Sequence, residues 1–248
     1  MAELCRRDQV KHVHCDAFRP VFWHRIERWC TLANLLTAAR VLLVFVIIGV
    51  WMRTDPVGSW WLDLLMVPLL AWAIFMDALD GWAARKWNEV SEVGALFDIA
   101  GDRIVELALW TFFAIRTDPS GQALVPLWVP LVMITRTVVT DLIRSVAFAQ
   151  GRTPFGPNSL QESGWSRQLT ASRWSRAAYG GLKAVCFCAL GILLAWQLAA
   201  PDYAGLAMAR IVVEAMVIAT VAFSIVRALP VVWDGRRFLA TMSKADTP

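Results

Sequence analysis

The chain has 248 residues, of which 58% are hydrophobic, and its formal net charge at pH 7 is +4. A soluble domain is about half apolar, and here long apolar runs recur along the whole chain, so its composition excludes a water-soluble globular protein. The excess positive charge flanks the apolar runs, where it orients a membrane protein and meets anionic lipid, so it does not indicate nucleic-acid binding.

The N-terminal residues 1–32 are polar and basic, unlike the apolar core of a cleavable signal peptide. Residues 16–30 nevertheless place several large apolar side chains near one helical face. This pattern predicts a cytoplasmic tail with an amphipathic helix lying in the headgroup plane, and an ordinary solvated tail is the alternative. The nearby His12, His14, Cys5 and Cys15 do not have the spacing of a closed zinc site.

Six apolar segments follow, each about long enough to cross a bilayer at roughly 20 residues per helix. They lie at residues 33–53, 60–84, 95–116, 124–149, 177–199 and 206–231. The predicted fold class is therefore all-α: a polytopic membrane protein with six transmembrane helices in residues 33–231. A basic cytoplasmic tail is predicted at residues 232–248.

Lys and Arg residues concentrate on one side of these predicted spans. They occur in both termini and in the connections around residues 85–94 and 151–176, whereas the opposite loops carry only Arg53, Arg116 and Arg210. Because cytoplasmic loops carry the excess of Lys and Arg, we expect both termini to be cytoplasmic.

Four carboxylates lie where the second apolar segment ends and the third begins. Asp77 and Asp80 are three residues apart, and Asp98 and Asp102 are four apart, so each pair shares one helical face. Carboxylates at membrane depth are costly and repel one another, and hard divalent cations compensate for this. Oxygen ligands suit Mg²⁺ or Mn²⁺, so the spacing predicts a site for two ions that would orient a pyrophosphate and an incoming hydroxyl.

Small residues and one Arg accompany the carboxylates. Gly81, Ala84 and Gly94 leave room for a bulky ligand or for close helix contact, and Arg85 is suited to meet a phosphate. With the four Asp, these residues fit D-x-x-D-G-x-x-A-R-x8-G-x3-D-x3-D at every fixed position. The chain thereby resembles the CDP-alcohol phosphatidyltransferases.

The resemblance implies a six-helix integral membrane enzyme, usually a homodimer, that displaces CMP from CDP-diacylglycerol with an alcohol. It implies that Asp77, Asp80, Asp98 and Asp102 hold the ions and that Asp102 is the catalytic base. Asp80, Gly81, Ala84 and Arg85 would contact the CDP moiety. In the first span, Asn34, Thr37 and Arg40 look like the family's N-x-x-T-x-x-R opening, so Asn34 and Thr37 would also bind the nucleotide.

The acceptor alcohol is predicted from cations in the fourth and fifth spans. Arg136 and Arg144 lie on nearly one face about 12 Å apart, at ~1.5 Å per residue, and Arg176 and Lys183 follow. An Arg inside a span should face a polar cavity, and converging cations suit an acceptor that carries a phosphate. Pairing with Glu106, Asp141 or Glu214 is the alternative.

The same spacing resembles the phosphatidylglycerophosphate synthases, whose acceptor is glycerol 3-phosphate. Thr137, Gly180–Ala184 and the DIAGDRIVE run at residues 98–106 depart from that branch. An inositol phosphate or another polar alcohol therefore stays open as the acceptor.

The alternatives to an enzyme are a transporter and a non-catalytic membrane scaffold. A cation or proton transporter would distribute its carboxylates across the membrane depth, whereas these four cluster at the ends of two adjacent spans. A non-catalytic membrane scaffold gives no reason for the four Asp. The sequence therefore favours a membrane enzyme in a bacterial cytoplasmic membrane, with its site on the cytoplasmic side.

Overall fold

The computed structural model describes residues 32–53, 60–86, 92–118, 120–149 and 172–245. At helical residues 32–33, 77–86, 92–93, 95, 148–149, 173 and 237–245 only the backbone is described. The predicted amphipathic helix within residues 16–30 and the His and Cys residues near it lie outside this part of the chain.

Six helices account for the described regular structure, apart from one isolated bridge between Thr117 and Ala123. They are α1 (Leu32–Arg53), α2 (Trp60–Lys86), α3 (Glu92–Ile115), α4 (Trp128–Ala149), α5 (Arg173–Ala199) and α6 (Gly205–Ala245). The all-α prediction is confirmed.

Within the described residues, three helical stretches are long and apolar enough to cross a membrane. These are Asn34–Arg53, Trp174–Ala199 and Gly205–Arg236, and Trp60–Met76 is a shorter apolar stretch. The helical architecture is consistent with a polytopic membrane protein.

Several helix ends differ from the predicted span ends, among them the start of α4 and the end of α6. α4 begins at Trp128 rather than near 124, because Leu124 and Val125 donate backbone hydrogen bonds to Arg116 and Phe113 in the loop before it. α6 continues to Ala245 through Pro230, well beyond residue 231. An apolar run marks the part of a helix inside the bilayer, and the backbone can stay helical past it.

The described residues divide into two compact units, and α1, α2 and α3 each contribute to both. The first unit contains residues 32–43, 73–86 and 92–102. The second contains residues 44–53, 60–72 and everything described from 103 onwards.

Aromatic side chains form part of the core of the second unit. The Trp51 ring stacks on Phe112 with centroids 5.4 Å apart, and Trp110 contacts Phe187 at 4.7 Å. A Cβ on Gly191 of α5 would lie 3.1 Å from the Trp51 ring. This glycine lets α5 approach α1 closely within the second unit.

α6 packs against both α4 and α5. Buried Ile143 and Ala147 of α4 meet Val231 of α6, and a Cβ on Gly235 would lie 2.5 Å from Ile143 Cγ2. The close approach of α4, α5 and α6 brings the polar residues of their inner faces together.

Candidate active site

The start of α1 places three polar side chains on one face. Asn34, Thr37 and Arg40 are 7%, 2% and 2% exposed, and their spacing of three residues keeps them aligned along the helix. Arg40 Nη2 lies 3.7 Å from Asp98 Oδ1 of α3. A buried cation therefore accompanies one of the predicted metal ligands.

Gly101 brings α3 against this face of α1. A Cβ at Gly101 would lie 2.6 Å from Thr37 Cγ2 and 3.3 Å from Arg40 Nη2. The helices can approach this closely only because residue 101 has no side chain. The predicted nucleotide residue Thr37 is thereby held beside the turn of α3 that carries Asp98 and Asp102.

The four predicted metal ligands lie on helical backbone. Asp77 and Asp80 are in the last part of α2, with Gly81, Ala84 and Arg85, and their side chains lie outside the description. Asp98 and Asp102 are one turn apart in α3, and both are partly exposed. The helical spacing on which the prediction depends is therefore present in both segments.

The chemistry of the donor set fits a hard divalent cation, because every predicted ligand is a carboxylate oxygen. Only Asp98 and Asp102 of the four belong to the side chains that are described. Among those side chains, no group of three or more His, Cys, Asp or Glu could hold a metal ion. The metal site stays a prediction that rests on the donor set and its spacing.

The second unit contains a buried carboxylate surrounded by donors, which we call the Glu106 cluster: Glu106, Arg103, Arg136, Tyr179 and Lys183. Glu106 is 2% exposed and follows Asp102 by one turn of α3. Its Oε1 accepts hydrogen bonds from Arg136 Nη2 at 3.2 Å and Tyr179 Oη at 2.6 Å. Its Oε2 accepts one from Lys183 Nζ at 3.1 Å and lies 3.5 Å from Arg103 Nη1.

Further charges border the Glu106 cluster. Asp141 Oδ2 lies 3.5 Å from Arg103 Nε, and Asp141 Oδ1 lies 3.5 Å from Arg144 Nη1. The Arg227 guanidinium lies 5.1 Å from the Tyr179 ring centroid. Among the described side chains, five cations therefore lie around two carboxylates, which leaves three positive charges in excess.

The structure brings together two of the four predicted acceptor-binding residues, Arg136 and Lys183, on Glu106. Arg144 borders them through Asp141, whereas Arg176 is exposed in the first turn of α5. The structure therefore shows Arg136 paired with Glu106 and Arg144 paired with Asp141, which is the alternative predicted from the sequence. Acceptor binding itself stays a prediction.

Sequence reasoning assigned no role to several side chains that the structure places near predicted site residues. In the first unit this is Arg40, and in the second unit these are Arg103, Tyr179 and Arg227. The third fixed position of the N-x-x-T-x-x-R opening pointed to Arg40. The others depend on which faces of distant helices meet, and no local spacing reveals that.

Comparison with known proteins supplies the family. The family profile described as CDP-alcohol phosphatidyltransferase matches residues 30–226, most of the chain. The chain belongs to the CDP-alcohol phosphatidyltransferase family. It is therefore an enzyme, which sets aside the transporter and scaffold alternatives.

Individual relatives carry different names. The chain is 27% identical over 176 residues to a cardiolipin synthase (CMP-forming) of Streptomyces coelicolor, covering 62% of this chain and 77% of that protein. It is 29% identical over 96 residues to CDP-diacylglycerol–inositol 3-phosphatidyltransferase 1 of Arabidopsis thaliana, 39% of each chain. Over 65 residues it is 34% identical to the corresponding Saccharomyces cerevisiae enzyme, 26% of each chain.

These matches support transfer of a phosphatidyl group from CDP-diacylglycerol to an alcohol, and the family is generally dependent on divalent metal ions. The names of the relatives differ in the lipid that is made. The family therefore fixes the class of reaction, and the acceptor has to be argued from this chain's own residues.

Proposed function

We propose that this enzyme transfers the phosphatidyl group of CDP-diacylglycerol to a phosphorylated polyol, with glycerol 3-phosphate as the first choice. The observation that carries the acceptor class is the excess of three positive charges, among the described side chains, around Glu106 and Asp141. Partly buried cations in excess of their counter-ions are unfavourable, and an acceptor phosphate would compensate for them.

Asp77, Asp80, Asp98 and Asp102 would hold two Mg²⁺ or Mn²⁺ ions, which supply positive charge to the CDP pyrophosphate. The pairing of Arg40 with Asp98 adds a fixed cation beside this set. The nucleotide would be bound by Asn34, Thr37, Gly81, Ala84 and Arg85. Burial of Asn34 and Thr37 on the α1 face that meets Gly101 supports their part in this.

Asp102 accepts the proton of the acceptor hydroxyl. The freed oxygen attacks the lipid-bearing phosphorus and forms the new P–O bond. The bond from that phosphorus to the bridging oxygen breaks, and CMP leaves with the electron pair. Asp102 is partly exposed in α3, as a group that meets a substrate must be.

Arg136, Arg144 and Lys183 would bind the acceptor phosphate, and Arg176 would meet it at the entrance. Inositol phosphate also carries a phosphate that these cations could bind, and it is the second acceptor proposed.

CMP release by the purified enzyme tests both the donor and the acceptor. CDP-diacylglycerol is supplied with Mg²⁺ or Mn²⁺ and, in separate reactions, glycerol 3-phosphate, inositol phosphate, glycerol, inositol and phosphatidylglycerol. We expect release with the phosphorylated polyols and little with their unphosphorylated counterparts. Equal release with glycerol and glycerol 3-phosphate would contradict the acceptor class, and no release with any of the five would contradict the reaction.

The site would face the cytoplasm of a bacterial cell, since the Lys and Arg bias places both termini there. A homodimer is proposed from the family resemblance. A reporter fused after the C-terminus and chemical cross-linking of the membrane-embedded protein test these two points.

A further inference from the structure

Glu106 is an acid inside an apolar helix, buried to 2% exposure in the second unit. An ionised carboxylate at membrane depth is costly, and such residues generally face a polar cavity and serve a function. Glu106 is not one of the four predicted metal ligands. Its contacts are with cations and one phenol.

Both oxygens of this carboxylate accept hydrogen bonds from two other helices. Oε1 accepts from Arg136 of α4 and Tyr179 of α5, and Oε2 accepts from Lys183 of α5. These three hydrogen bonds fix the plane of the carboxylate, so it defines where the Arg136 and Lys183 head groups lie. An acid that only neutralised the charge of a neighbouring cation would need only one such contact.

The Tyr179 ring constrains the same cations from the side. Its centroid lies 5.0 Å from Lys183 Nζ and 5.9 Å from Arg136 Cζ, within the range of cation–π attraction. Its hydroxyl donates to Glu106 and accepts from Arg136 Nη2 at 3.1 Å. An edge contact with Phe223, centroids 5.9 Å apart, holds the ring itself.

Arg136 keeps donor capacity after these contacts. Its hydrogen bonds to Glu106 and Tyr179 both use Nη2, and within the described part of the chain its Nε is buried without a hydrogen-bond partner. A guanidinium has five N–H donors, and a buried one left unsatisfied is unfavourable. A phosphate oxygen would satisfy it.

We propose that Glu106 and Tyr179 are positioning residues, a role that rests on the proposed function. They hold Arg136 and Lys183 in the geometry that receives the acceptor phosphate. Glu106 fixes the cations through its two oxygens, and Tyr179 fixes Glu106 and covers the cations. Neither touches the reacting atoms. Their effect is on binding of the acceptor and not on binding of CDP-diacylglycerol.

Steady-state kinetics with each substrate varied in turn tests this role, with glycerol 3-phosphate as acceptor. Glu106→Gln should raise the KM for glycerol 3-phosphate about tenfold or more, the size expected when a charge-assisted hydrogen bond is lost. The KM for CDP-diacylglycerol and the kcat at saturating acceptor should stay within about twofold of wild type. Tyr179→Phe, which keeps the ring, should raise only the acceptor KM and by less.

Matched controls are available on α6 and in the turn before it. Glu214→Gln and Tyr203→Phe make the same chemical changes at exposed residues and should leave both KM values unchanged. Glu106→Asp, which keeps the charge on a shorter side chain, should restore part of the acceptor affinity. If Glu106→Gln is not recovered folded in detergent, Tyr179→Phe carries the same comparison.

Two results would overturn the positioning role: equal changes in both KM values, or an unchanged acceptor KM in Tyr179→Phe and Glu106→Gln. A wild-type enzyme that turns over only unphosphorylated acceptors would overturn it as well. Failure of the proposed function is distinguishable, because wild type would then release no CMP from CDP-diacylglycerol with any acceptor.

Discussion

Arg40 links the face of α1 that carries the predicted nucleotide residues to the predicted metal ligand Asp98. Its guanidinium is 2% exposed and lies 3.7 Å from Asp98 Oδ1. The sequence motif named Asn34 and Thr37 and left this third residue without a role. Motif spacing shows that the three share a face of α1, but the partner of that face lies in α3. The contact through Gly101 reveals that partner.

Gly101→Ala tests the close approach of α1 and α3. The added Cβ would lie 2.6 Å from Thr37 Cγ2, so the helices must shift, and overpacking of this kind costs about 1–3 kcal/mol. We expect a lower thermal unfolding midpoint in detergent. Gly49→Ala in α1 is the matched control, because its Cβ meets nothing within 4 Å and alanine favours a helix. Equal midpoints for the two variants would argue against the contact.

α3 carries Asp98, Asp102 and Glu106 on successive turns, so one helix bears two predicted metal ligands, one of them also the predicted catalytic base, and the carboxylate of the Glu106 cluster. α3 could be predicted from the sequence because a long apolar run with a few acids at helical spacing indicates a membrane-spanning helix. The start of α4 was less predictable. Leu124 and Val125 continue the apolar run, but Pro126 and the loop hydrogen bonds keep them out of the helix.

The loop between α3 and α4 is tied to α6 by an ion pair of Asp118 with Arg210. Burial raises the pKa of the Asp118 carboxyl. Hydrogen bonds from the Ser120 hydroxyl, the Gln122 backbone N–H and Arg210, together with the charge of Arg210, outweigh burial and hold that pKa below its ordinary value of 3.8. The ionised carboxylate is therefore the form that stabilises this loop.

A pKa lowered by folding gives stability that is present above 3.8 and is lost as the pH falls through the lowered value. Asp118→Asn should therefore destabilise the protein at neutral pH, and its deficit relative to wild type should shrink as the pH falls below 3.8. Thermal unfolding in detergent across this range measures both effects. Asp202→Asn, at an exposed turn residue, is the control. A deficit that stays constant with pH would contradict this account of Asp118.

At the scale of the whole molecule, the number and kind of helices could be predicted because apolar runs of about 20 residues have few alternatives in a membrane. The Asp spacing likewise predicted the class of reaction. The Glu106 cluster could not be derived in this way. Its members lie in α3, α4 and α5. The residues outside α3 that contact Glu106 are between 30 and 77 positions away from it along the chain. Such contacts depend on how the helices rotate against one another.

The most direct test of the central claim is CMP release from CDP-diacylglycerol by Asp102→Asn, measured beside wild type with Mg²⁺ or Mn²⁺ and a saturating acceptor. The amide cannot accept the hydroxyl proton and is a weaker ligand than the carboxylate. We therefore expect a loss of turnover of about 10²- to 10⁴-fold or more, with Asp202→Asn retaining the wild-type rate. Release at the wild-type rate by Asp102→Asn would contradict the account.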